Sequence, residues 1–152
     1  NEFRVHVDKK IRECQSTGEA KEVRIRKALE LLDYMNRILE QHVFTGMEQT
    51  AMVRKMEEVC ELIWQADHTK LSSTYYGMIE ARLLEQKLYR QCEVWCERCT
   101  ELYPETLVSY TGRLSLYFTT GDRERFFATM EELRASDVMI DQKTLELIRI
   151  FM

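Results

Sequence analysis

Along this chain the apolar positions recur at three and four residues rather than alternating. Phe3, Val7, Ile11 and Cys14 mark one face of a first helix, closed by Ser16-Thr17-Gly18. A longer helix is predicted from about Glu19 to Gln41, with Val23, Ala28, Leu31, Leu32, Met35, Ile38 and Leu39 on its apolar side. His42 to Gly46 breaks the pattern. Met52, Met56, Val59, Cys60, Ile63 and Trp64 then carry it from about Glu48 to Asp67, where Asp67-His68-Thr69 offers a stop and a new N-cap. Helices four and five cover about 71–86 and 89–103. Pro104 ends the fifth and is placed to open the sixth, because proline is tolerated at the first helical position. Helix six ends at Thr119-Thr120-Gly121, with Gly121 as a left-handed C-terminal residue. Asp122 caps a seventh helix running to about Ala135. Val138-Met139-Ile140 links it to Asp141, which caps a last helix through Leu145, Leu147, Ile148 and Phe151.

The second half also overlays itself when shifted by 34 residues. Tyr76 falls on Tyr110, Leu83 on Tyr117, Lys87 on Gly121, Cys92 on Phe126, Cys96 on Met130 and Cys99 on Leu133. Composition agrees with an all-α chain. One proline and five glycines in 152 residues cannot supply the turns of a β-sandwich or barrel, and that length suits one compact domain. The predicted organisation is irregular helices over residues 1–68, two repeat-like helix pairs over 70–137 and a capping helix over 141–151.

A period of 34 with two helices per unit resembles the tetratricopeptide (TPR) family. The resemblance rests on an early aromatic in the first helix, Tyr89 and a small residue opening the second, a closing proline and the link "YFTTGD". It covers roughly residues 70–140, and there are departures. Glu80 and Leu114 stand where the family has a small residue between its paired helices, and Arg113 replaces a hydrophobe. The implied fold is a short TPR-like α-solenoid of antiparallel helix pairs, about eight helices in all. In the 34-residue register, a concave partner-binding groove would be lined by Thr74, Gly77, Ala81, Leu84 and Glu85, and then by Val108, Thr111, Ser115, Phe118 and Thr119. That lining lacks the Lys/Arg cluster that would clamp a C-terminal carboxylate, so it suits an apolar or mixed segment. The run from "LYRQCEVWCERC" to "TLELIRIF" is also similar to the C-terminal half of the bacterial transcriptional activation domain. "MEELRASDVMIDQKTLELI" locally fits a pentatricopeptide repeat, which binds RNA, but that family's 35-residue spacing and basic groove are not met.

Charge narrows the partners. With 22 basic and 26 acidic residues in short alternating groups, the net charge is −4 and no basic stripe marks a nucleic-acid surface. No run approaches the roughly 18 apolar residues of a membrane span. Five cysteines cannot complete a disulfide framework, and Cys14 and Cys60 within apolar helical patterns read as small hydrophobes, which points to a reducing, cytoplasmic setting. The start at Asn1 is read as a segment of a longer protein.

"CEVWCERC" raises the one chemical question, because C-x3-C-x2-C is the spacing of the enzymes that cleave S-adenosylmethionine with a [4Fe–4S] cluster. In those enzymes the cysteines follow a strand, and an aromatic residue precedes the third. Here helix surrounds them and Arg98 holds that place. On a helix, Cys92, Cys96 and Cys99 share one face, which a repeat unit would bury. His6, His42 and His68 have no paired spacing to the cysteines that would suggest zinc. No nucleophile elbow, phosphate loop or His-Glu-x-x-His motif occurs, and pairs such as Glu57-Glu58 and Glu131-Glu132 read as solvated helix faces.

These readings lead to a non-catalytic interaction module with no cofactor or metal. It would be the regulatory or assembly domain of a bacterial transcriptional regulator. Its partner would be a protein, a peptide or another domain of the same chain, and self-association through terminal units is compatible with it. The alternative is an accessory helical scaffold of a larger enzyme, as in a biosynthetic or envelope assembly.

Overall fold

The structure, a computed structural model, describes residues 2–16 and 18–152. The described residues form eight α-helices and one 3-10 turn, with no strand among them. They divide into two compact units, one ending at Leu71 and the other beginning at Ser72.

In the first unit α1 (Glu2–Gln15), α2 (Lys21–Glu40) and α3 (Gly46–Asp67) each pack on the other two. The i, i+3, i+4 faces meet as a core of Val7, Ile11 and Cys14 with Ile25, Leu32, Met35, Leu39, Met52, Met56, Val59, Cys60 and Ile63. Ile25 and Val53 are buried, whereas the predicted Val23 and Trp64 are half-buried. The α1–α2 link was predicted to include Thr17, which lies outside the described residues. Next to it, the Gly18 N–H donates to Ser16 Oγ at 3.3 Å. The segment between α2 and α3 does more than break a helix, because Phe44 is buried and meets Phe3 edge-on at 5.9 Å. Lys55 on α3 pairs with Asp8 on α1. The Asp67 carboxylate accepts from the Thr69 N–H (3.1 Å) and hydroxyl (2.5 Å), so it caps the 3-10 turn His68–Lys70 rather than the helix that follows.

The second unit shows the repeat directly. Its helices are α4 (Ser73–Glu85), α5 (Tyr89–Leu102), α6 (Leu107–Thr120), α7 (Arg123–Ala135) and α8 (Gln142–Phe151). The starts of α6 and α7 lie 34 residues after those of α4 and α5. The short links make successive helices antiparallel. The turns repeat as well: Lys87 (φ 61°) and Gly121 (φ 74°) occupy the same register position in the left-handed region. The next N–H reaches back to Leu83 O in one turn and to Tyr117 O in the other, both at 2.9 Å.

Pro104 does not open α6. It lies in a turn held by the Thr106 hydroxyl on Tyr103 O (2.7 Å), and the helix begins at Leu107. α6 touches α4, α5, α7 and α8 and is the hub of this unit. Beneath it Leu114, Phe126, Met130, Leu133 and Ile148 form a continuous core. Phe151 closes that core edge-on to Phe126 at 4.3 Å. Asp122 and Asp141 cap α7 and α8 by accepting from Arg125 N (3.1 Å) and Thr144 N (2.9 Å). On α8 Thr144 and Ile148 are buried, Leu147 and Phe151 pack half-buried against the core, and Leu145 faces outward.

A candidate partner-binding face on α4 and α6

The first helices of the two pairs run side by side because Gly77 permits it. A methyl group there would stand 3.2 Å from Val108 Cγ1, closer than side chains ordinarily pack. Thr74, Gly77, Ala81, Leu84 and Glu85 lie along α4, and Val108, Thr111, Ser115, Phe118 and Thr119 along α6. None of the ten is fully buried: Thr74, Ala81, Glu85 and Thr119 are exposed and the others half-buried. Only Glu85 carries a charge, and it is paired with Arg82 at 3.6 Å. The Thr111 hydroxyl donates to its own helix at Val108 O (3.3 Å). Phe118 is already engaged, edge-on to Phe151 at 5.2 Å, so it belongs as much to the contact with α8 as to the open face.

The cysteine face of α5 lies between α4 and α6. The Cys92 thiol donates to the Glu80 carbonyl oxygen at 3.5 Å. The Cys99 thiol lies 3.3 Å from the Ser109 hydroxyl, which is itself 2.6 Å from Tyr103 O. With that hydroxyl proton committed to Tyr103, Cys99 is the donor in the pair. Burial pushes Cys99 up to about 11, partly offset by Ser109. The Cys92 sulfur beside it and burial hold Cys96 as a thiol, and burial does the same for Cys60 and Cys14. Nucleophiles and metal ligands need the thiolate, which these sites disfavour. Among the described residues no three His, Cys, Asp or Glu side chains are placed to hold a metal ion. His6 instead stacks edge-on to Tyr34 at 5.1 Å. No helix among the described residues is long and apolar enough to cross a membrane.

Arg113, out of place as a hydrophobe's substitute, is accounted for by three contacts. Its Nε donates to Ser109 O (3.0 Å), its Nη1 to Glu132 (2.8 Å), and its guanidinium lies 5.2 Å from the Tyr110 ring. It ties α6 to α7. In the first unit a cleft beside α1 and α2 is lined by His6, Lys10, Glu13, Glu19, Lys27 and Tyr34. Both of its lysines are paired within it, Lys10 with Glu13 at 3.3 Å and Lys27 with Glu19 at 2.6 Å.

What sequence reasoning missed is the pairing of Glu80 with Gly112. Glu80 was visible as a misfit, but the bare glycine that accommodates it lies 32 residues on, on another helix, and a single glycine in a helical pattern gives no such signal. Compared with known protein families, curated proteins and solved structures, the chain matches none.

Proposed function

We propose that this chain is a non-catalytic protein-interaction module of TPR-like type, whose α4–α6 face holds an extended or helical segment of a partner protein. The observation that carries the reading is the pair of first helices brought together at Gly77 and Val108, with an incompletely buried stripe along both that carries one charge, Glu85, paired with Arg82. Small side chains such as Ala81 and Ser115 leave backbone-deep room for a partner's apolar side chains, and threonines at the rim supply hydrogen bonds. By its resemblance to the bacterial transcriptional activation domain, the partner is assigned to the transcription machinery and the setting to the bacterial cytoplasm.

A photo-crosslinking residue at Ala81 or Ser115, with Glu131 on α7 as control, tests this in the protein as its own cells make it. Adducts to a transcription component from the two α4–α6 positions and none from residue 131 are expected. No adducts, or adducts to enzymes of a biosynthetic or envelope assembly, would overturn the regulator reading.

A further inference from the structure

Glu80 is the misfit of the second unit. It sits on α4, 3% exposed, at the register position that the next pair gives to the fully buried Leu114. Neither carboxyl oxygen has a hydrogen-bond partner in good geometry, and the nearest donor is the weak Cys96 thiol. From α5, the Cys92 thiol takes the Glu80 main-chain carbonyl, Cys96 lies beside the carboxyl, and Cys99 lies on the same face. From α6, Gly112 leaves the space that the carboxyl fills: a methyl group there would stand 1.9 Å from Oε1 and 3.4 Å from Cys96 Sγ. The charge that reaches Glu80 from α6 is that of Arg113, whose Nε and Nη1 are engaged by Ser109 and Glu132. A carboxylic acid tolerates such a place far better than a carboxylate, which has lost its water and gained no donor beyond the weak one of the Cys96 thiol.

We propose that Glu80 is a proton-operated latch at the α4–α5–α6 joint, which stays closed around the carboxylic acid and loosens when the acid ionises. Ionisation demands either water, which parts α6 from α4, or a closer approach of Arg113, which pulls on its bonds to Ser109 and Glu132 and so loosens the tie to α7. Burial pushes Glu80 up to about 8 from an ordinary 4.5, and Cys96 and Arg113 offset only part of that. The closed joint therefore keeps a proton that an opened one gives up. Its advantage is complete below the ordinary carboxylate range, shrinks as pH rises and is gone above about 8. The latch does not depend on the α4–α6 face having a partner.

Hydrogen exchange from pH 5 to 9, corrected for the intrinsic pH dependence of exchange, tests the proposal. Protection of α4, α5 and α6 amides is expected to fall roughly tenfold per pH unit up to about pH 8 and then level off. The amides of α2 and α3 serve as the reference, and Glu80→Gln is expected to flatten the profile. A flat wild-type profile, or equal slopes in wild type and E80Q, overturns the latch. Should E80Q fail to fold, a 13C titration of the Glu80 carboxyl in the unaltered chain decides. A midpoint near 8 supports the proposal, and one near 4.5 overturns it.

Discussion

The pairs α4–α5 and α6–α7 share a backbone plan and fill it in opposite ways. The inward face of α5 sets one very large residue, Trp95, among three small ones, Cys92, Cys96 and Cys99. The same face of α7 sets one small residue, Thr129, among Phe126, Met130 and Leu133. All eight are buried. The repeat therefore resides in helix length, turn geometry and the direction each face points, and the side chains need only fill the volume together. This is why a 34-residue match in pattern survives with almost no match in identity.

The comparison breaks most visibly at its largest member. Trp95 is fully buried, so Trp95→Ala should cost about 3–5 kcal/mol, whereas its counterpart Thr129→Ala should cost about 1 kcal/mol. Thr129 loses only a bond to its own helix, at Arg125 O (2.8 Å). Urea unfolding of the two variants measures both. Equal losses would mean that the two pairs do not compensate in volume as described.

A second test lies at the seam between the pairs. Alanine is the better helix former, by about 1 kcal/mol over glycine. Gly112→Ala should nevertheless destabilise by about 1–3 kcal/mol, because the new methyl meets the Glu80 carboxyl. In a Glu80→Ser background the same change should become neutral or stabilising. Denaturation of the four species in this cycle checks it, and additivity within about 0.5 kcal/mol would show that the two residues do not share one space.

What could be read in advance follows the range of the forces involved. Helix number, the caps at Asp122 and Asp141 and the turn at Gly121 depend on a few neighbouring residues and were legible. Spacing put Cys92, Cys96 and Cys99 on one helix face, and the repeat plan made that face a buried one. Pro104 misled because a proline fits a turn as well as a first helical turn, and only the Thr106–Tyr103 bond decides between them. Among the ten face residues, spacing gave their places on α4 and α6. It could not show that Phe118 is taken up by Phe151, since α8 lies outside the repeat. Glu80 is the extreme case, its burial depending on residues from three helices.

The smallest effect offers the finest comparison. Lys87 and Gly121 end α4 and α6 in the same left-handed conformation, yet only glycine adopts it without a clash of Cβ against the backbone. That clash costs a lysine about 1 kcal/mol. Lys87→Gly removes the strain but frees the unfolded chain, which returns part of the gain. The net expectation is stabilisation by about 0.5 kcal/mol, against a loss of about 1 kcal/mol for Gly121→Lys. Calorimetric midpoints compared at one pH resolve the two signs. Were Lys87→Gly to destabilise instead, the lysine side chain would be contributing more than its backbone strain removes, and the two turns would be equivalent in shape but not in energy.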